Sequence, residues 1–555
     1  MFPGRLSHRI LLLSLLALAA ACSHDGALEI ELDVETAQTS LNPLRNPALS
    51  SITLTLTSAT FAQERSTETY LSGLHRLGFG DIPTGVYLNA AVSAVAFSGA
   101  LVAYGEHRGR FRVEASEPTR IQVPLRFPFV YASGGTELPA VHPELDSRSA
   151  TFDNLMVGVP ADITSATAVS PDGRRLVVLT VNPSGAVRLW MYLTGNHQRI
   201  LEFQLSRPDR VSTAAFSPDG QTLLLLSADG DWAAFLDVPT FLEGANREAS
   251  FRYQEVASPI AAGFLSDDSA VVLSSSTYRH DTCDTPPSSQ LTWYLLSQLR
   301  TSGVVEVAAT TTLGSYTASL AVDTTGNRVF LAHPCSSEIS SMRPGTVAPA
   351  VVLGLLNLSP CLRPVRLLAD ASALTVACVT TVDTVSPQWS ASKLLLQRFN
   401  LNPQLSPNAR TLVMDYPSEP IDYSKVVATT IPPGTSVLIL QAPERVLPIA
   451  LGQSAQGNRL VVAVEAYYKT PEIVIGGARL NETRTKSHSV VFVDPRLSRL
   501  ERRVRTACFP VDDHLDDTPP EGGFSTSYCT DNMGAIEKTN LSFIPSQLSI
   551  VYGTP

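Results

Sequence analysis

Ala168-Val169-Ser170-Pro171-Asp172-Gly173-Arg174-Arg175-Leu176-Val177-Val178 returns 47 residues later as Ala215-Phe216-Ser217-Pro218-Asp219-Gly220-Gln221-Thr222-Leu223-Leu224-Leu225. Apolar residues flank a core in which Pro presets φ, Asp bonds the backbone ahead and Gly accepts positive φ, so each copy predicts two strands joined by a tight turn. Weaker copies follow at Phe264–Val272, Ala321–Phe330 and Leu368–Val376. Gln453–Val462 and Phe543–Ile550 are later candidates. Further strands are expected after each hairpin, such as Val187–Leu193, and Trp232–Leu236 beyond the Asp229-Gly230 turn. Four strands per unit at a spacing of roughly 46 to 57 residues is the sequence pattern of radially repeated sheets.

This motif resembles the WD40-like and YVTN families of β-propellers, whose Ser-Pro-Asp-Gly turn joins the two inner strands of a blade. The Trp-Asp ending of WD40 repeats is missing. The resemblance implies an all-β chain with a propeller over residues 129–555. Seven blades are expected, with eight as the alternative, because the register is lost between residues 380 and 450. There Leu405-Ser406-Pro407-Asn408 and Ile431-Pro432-Pro433-Gly434 compete as the next blade turn. The copy near Pro545 has too few residues after it for outer strands, so the segment from about Val130 to Ile163 is expected to supply them and hide the sheet edges.

Residues 27–128 read differently. Leu28, Ile30, Leu32 and Val34 alternate with Glu29, Glu31 and Asp33, and Ile52, Leu54 and Leu56 with Thr53, Thr55 and Thr57. Such strands bury one face and wet the other, which predicts an antiparallel β-sandwich. Phe79–Tyr87 and the closing Ile121–Leu125 resemble the Ig-like or transthyretin-like modules that follow lipoprotein signals.

Residues 1–21 read as a signal peptide, with Arg5, His8 and Arg9 before the apolar run Ile10–Leu18 and small residues Ala19, Ala20 and Ala21 ahead of Cys22. The run is too short for a retained span, which needs about 20 residues. The junction resembles the bacterial lipoprotein signal, with Ala19 where the lipobox carries Leu. It implies lipidation of Cys22, a tether over residues 22–26 and, with Ser23 next, an outer-membrane lipoprotein of the cell envelope; ordinary cleavage to a soluble secreted protein is the alternative.

Composition bounds partners. Hydrophobic residues make up 44% and charged residues 17%, enough for buried cores. The net charge is −10, and the only basic concentration is Arg496, Arg499, Arg502, Arg503 and Arg505, so no nucleic acid is expected as a partner. Six cysteines remain beyond Cys22, an even number that suits disulfides in an exported chain and permits 15 pairings. Cys361 and Cys378 are symmetric about a turn near Ala369-Asp370, Cys283 and Cys335 follow the second hairpin strand of consecutive units, and Cys508 and Cys529 remain.

Gly-x-Ser-x-Gly, His-Glu-x-x-His, P-loop and dinucleotide motifs are missing from the sequence. Asp512, Asp513, Asp516, Asp517 and Glu521 could offer oxygen ligands to Ca²⁺, but the spacing lacks EF-hand alternation and Pro519-Pro520 suits a solvated excursion, so no cofactor is expected. The leading expectation is a non-catalytic propeller that binds a protein or glycan of the envelope through loops on one face, with Tyr278, Arg279 and His280 as candidate contacts. A lactonase-like hydrolase and a purely structural envelope protein are the alternatives.

Overall fold

The computed structural model describes residues 25–34, 41–58, 62–67, 75–107, 109–115, 117–145, 153–156, 162–244, 246–277, 282–346, 348–354, 361, 363–370, 372–379, 393–401, 409–422, 438–454, 459–470, 472–475, 478–480, 483–511, 537–538 and 547–551. The chain divides into two compact units, Met1–Phe127 and Pro128–Pro555.

The smaller unit holds two sheets. In one, Asp25–Asp33 pairs antiparallel with Arg76–Pro83 and parallel with Thr119–Pro124. The other runs Ala62–Thr67, Leu49–Thr57, Tyr87–Ala96, Leu101–Glu106. Leu28, Ile30, Leu32, Ile52, Leu54 and Leu56 are buried as their alternation requires, while Glu29 and Glu31 face out and pair with Arg76 and Arg120. A Cβ on Gly105 would strike Pro124 O, so the two sheets approach as closely as glycine permits.

In the larger unit the repeat becomes a series of antiparallel sheets, numbered I to VII among the described residues. Sheet I is Ile163–Val169, Arg175–Val181, Val187–Leu193 and Arg199–Gln204; sheet II is Val211–Phe216, Thr222–Ser227, Trp232–Asp237 and Phe251–Glu255. Sheet III is Pro259–Ser266, Ser269–Ser274, Ser289–Leu295 and Glu306–Leu313; sheet IV is Ser319–Asp323, Arg328–His333, Glu338–Met342 and Ala350–Gly354. Sheet V is Pro364–Ala369, Ala373–Cys378, Lys393–Asn400 and Ala409–Asp415. Sheet VI has longer strands, Pro443–Gln453, Leu460–Thr470, Thr483–Asp494 and Arg499–Val511, with Glu537–Lys538 at its edge. In sheet VII the late strand Gln547–Ile550 pairs with Val130–Ser133, followed by Glu137–Val141 and Asp153–Met156. The first-named strands touch one another in sequence, and that of sheet VII touches both VI and I, which closes a ring. Radial four-stranded sheets around such a ring are a β-propeller.

The packing explains the sequence. Leu223 and Leu225 enter the core between sheets I and II, and Leu224 and Leu226 the core between II and III. A strand buried on both faces reads as a continuous apolar run instead of an alternation. Similar cores lie between III and IV, IV and V, V and VI, and VI and VII.

The Ser-Pro-Asp-Gly turns form as their chemistry dictates. Ser170 Oγ donates to Asp172 Oδ1 at 2.5 Å and accepts from Arg175 N at 2.9 Å, while Asp172 Oδ1 accepts from Arg174 N. Ser217, Asp219, Gln221 and Thr222 repeat the pattern, with Gly173 at φ 65° and Gly220 at φ 69°. Ser454 plays the part of Ser170 in sheet VI, accepting from Arg459 N. The next blade turn after Asp370 is therefore at Ser454. Residues 405–408 and 431–434 both lie outside the described residues; the strands that flank 405–408 in the chain are the third and fourth of sheet V.

A Cβ on Gly263 would stand 2.5 Å from Val322 Cγ2, where the inner strands of sheets III and IV meet. Gly263→Ala should cost about 1–3 kcal/mol through overpacking. Gly314→Ala, which meets nothing within 4 Å, should stay within about 0.5 kcal/mol of wild type in urea denaturation. Equal stability of the two variants would refute this inter-blade contact.

Candidate functional site

Antiparallel strands place connections alternately at the two ends of the ring. One end carries the short first-to-second-strand turns, such as Ser170–Gly173. The other carries the second-to-third-strand loops and the links between sheets, and there the chain is most elaborated. Residues 275–288, 379–392, 416–442 and 471–482 all leave from this insertion end; the last contains the hairpin Ile473–Ile475 with Ala478–Leu480. On the opposite end the longest connection, 238–250, folds back as the helix Val238–Glu243 and a 3₁₀ turn.

Every described cysteine lies at the insertion end. Cys283 and Cys335 are bonded, with Cα atoms 5.2 Å apart, and tie the loop of sheet III to that of sheet IV. Cys361 and Cys378 are also bonded, at a Cα separation of 5.4 Å. Symmetry about the hairpin does not explain that bond. Cys378 pairs with Pro364, and a bulge lies between Pro364 and Arg366, because the turn centres on Asp370–Ser372, where Asp370 Oδ1 accepts from Ser372 N and Ala373 N. Cys361 instead precedes the strand, fully buried, and reaches the strand end from the link. Cys508 is disulfide-bonded. Its expected partner Cys529 lies outside the described residues, as do Cys22, Tyr278, Arg279, His280, Asp512, Asp513, Asp516, Asp517 and Glu521.

Beneath the loops, buried polar groups clasp the links to their sheets in sheets I, II and IV. In sheet I, Trp190 Nε1 donates to Thr180 Oγ1 at 2.9 Å, and Thr180 Oγ1 donates to Asp162 Oδ2 at 3.3 Å. In sheet II, Trp232 Nε1 donates to Asp209 Oδ2 at 2.8 Å. Asp162 and Asp209 each stand eight residues before the Ser of Ser-Pro-Asp-Gly, so the repeat extends further upstream than the turn alone suggests. In sheet IV the clasp is a histidine. His333 Nδ1 lies 3.2 Å from Tyr316 O, a carbonyl that can only accept, so Nδ1 carries the proton and Nε2 accepts from Ser340 Oγ at 2.6 Å. Thr317 Oγ1 and Ser315 Oγ complete its surroundings, and Thr317 N donates to Ser289 Oγ of sheet III.

Sheet VI buries an ionic cluster. Glu465 Oε2 accepts from Lys486 Nζ at 2.9 Å and lies 3.7 Å from His488 Nε2. Arg445 and Lys486 stack on the Tyr467 ring. Burial pushes the Tyr467 hydroxyl up to about 12, with the Glu465 charge adding to the rise and Lys486 and Arg445 opposing it. Tyr467 is therefore a neutral donor at physiological pH. Among the described residues no group of three or more His, Cys, Asp or Glu side chains converges to hold a metal, and no described helix is long and apolar enough to cross a membrane.

No family model matches the chain, and no curated relative does. Among solved structures, the chain is similar to the β-propeller domain of Cps50 (Swd1) from Myceliophteria thermophila, at 10% identity and TM-score 0.36 over 62% of this chain and 88% of that one. It is also similar to the C-terminal WD40 domain of Sif2, at 10% identity and TM-score 0.37 over 70% and 84%. Hydrazine synthase of Kuenenia stuttgartiensis matches at 12% identity and TM-score 0.36 over 56% and 78%.

Burial lowers the His333 pKa from its ordinary value of 6.5, with the Tyr316 carbonyl and Glu338 opposing. Below pH 6.5 the unfolded state then binds more protons than the folded one, so stability conferred at neutral pH is lost as pH falls from 6.5 through the folded pKa. His333→Gln should flatten that part of the stability-versus-pH curve measured by urea denaturation; an unchanged slope would show that His333 does not contribute.

Proposed function

We propose that the chain is a non-catalytic binding protein of the bacterial cell envelope, a seven-bladed propeller following an Ig-like sandwich, attached to the outer membrane by lipid on Cys22. The single observation behind the binding role is the inequality of the two ends: most of the long connections and both described disulfide pairs gather at the insertion end. Loops vary without cost to the sheets and carry recognition. Cross-links restrain them and reduce the entropy lost when a partner binds. A protein of the envelope is the partner class that suits a broad, loop-built surface; a glycan is the alternative.

Thr470 and Thr483 stand opposite each other at the ends of the second and third strands of sheet VI. Residues 471–482 can therefore be replaced by a two-residue Asn-Gly turn with little change to the strands. The variant should keep the wild-type circular dichroism and lose most capture of the envelope partner from extract. Equal capture would place recognition elsewhere, and turnover of a lactone or ester panel by the wild type would overturn the non-catalytic reading. Cys22→Ser should abolish acyl mass on the mature N-terminus, and a wild-type N-terminus without acyl mass would remove the anchor from the proposal.

A further inference from the structure

The inner strands of the propeller line its channel, and at sheets VII, I and II their polar side chains bond one another and the neighbouring backbone. Thr167 Oγ1 donates to Ser549 Oγ at 2.9 Å, and Ser549 Oγ donates in turn to Thr167 O. Gln547 Oε1 accepts from Thr167 N, while its Nε2 donates to Ala214 O. On the inner strands of sheets II and III, Ser212, Thr213, Ile260, Ala261, Ala262 and Gly263 are uncharged and half-buried.

Arg366, near the insertion end of the inner strand of sheet V, differs. Its Nε donates to Ile449 O of sheet VI, and its Nη1 donates to Ala318 O beside sheet IV at 3.4 Å and to Val365 O at 2.9 Å. Three main-chain carbonyls on three consecutive blades thus fix the plane of the guanidinium. Among the described residues Nη2 meets no acceptor and Arg366 no carboxylate within ion-pair distance, and the residue is half-buried. Protein surrounds the group closely enough that burial lowers its pKa from 12.5. A confined cation without a counter-charge is costly, and low-dielectric walls focus its field into the channel.

We propose that the channel mouth at Arg366 binds an anion, a carboxylate or another small oxyanion, through the two N–H groups of Nη2. The carbonyls hold the fork in place before the anion arrives, so little ordering is needed on binding. This site does not depend on the partner proposed for the insertion-end loops. The anion could be free in solution or belong to an acidic polypeptide that reaches the mouth.

The test uses the full chain and the ³⁵Cl nuclear magnetic resonance line, which broadens when chloride exchanges with a protein site. Wild type should broaden the line, and sodium acetate or sodium phosphate should reverse the broadening saturably. Arg366→Met should lose the competed component. Arg366→Lys keeps a point charge but cannot bond the carbonyls and an anion together, so its competition should need about tenfold more acetate. Lysine also guards against a methionine variant that fails to fold. Unchanged acetate competition in both folded variants, or none in wild type, would overturn the proposal. Hexaglutamate competing at much lower carboxylate concentration than acetate would identify an acidic polypeptide as the source, and equal potency a free anion.

Discussion

A sheet that is apolar on both faces cannot persist alone in water, and the sheets of the larger unit are of that kind. Leu223 to Leu226 have no exposed side to turn to: odd and even residues both need a neighbouring sheet. The demand passes from blade to blade until it returns to the first, so the ring depends on the pairing of Gln547–Ile550 with Val130–Ser133. That contact joins residues more than four hundred positions apart, whose closure entropy is recovered only when the intervening sheets have packed. Gly263 and Gly452 belong to the same constraint. Each lies on an inner strand where a Cβ would press on the next strand, on Val322 and Ile550 respectively.

How far the fold could be read from sequence follows from how local its chemistry is. Ser170-Pro171-Asp172-Gly173 announces a hairpin because all its hydrogen bonds close within six residues. The strands around it are equally legible, since continuous apolar runs have few other uses in a β protein. The Cys361–Cys378 bond shows the limit. The pairing follows from cysteine count and proximity, but the hairpin centre is set by Asp370 capping Ser372 and Ala373, which shifts the register and leaves Pro364, not Cys361, opposite Cys378. Leu405–Asn408 imitates a blade turn in composition, yet the strands on either side are the third and fourth of sheet V. Composition marks a turn without saying which turn it is.

The site was harder to read because its parts are distant in the chain. The Asp162, Thr180 and Trp190 clasp spans three elements, and only its spacing to Ser170, shared by Asp209 and Ser217, left a trace in the sequence. His333 left none: nothing near it in sequence reveals that Tyr316 O and Ser340 Oγ would fix its tautomer. Arg366 is a single charge in an apolar strand, a feature that reads equally well as a solvated edge.

These polar groups now separate by what their donors reach. At the clasps, Trp, Thr, Asp and His satisfy one another and spend their bonding capacity on holding links to sheets. In the channel, Thr167, Ser549 and Gln547 do the same across sheets VII, I and II. Arg366 also spends three bonds on structure, but a guanidinium has five donors and the backbone at that point offers fewer acceptors. The surplus is a consequence of using arginine, where a neutral amide could have served the carbonyls alone at a smaller desolvation cost. A buried charge beyond what the stitching requires is thus better explained by something it meets in the channel than by the stitching itself.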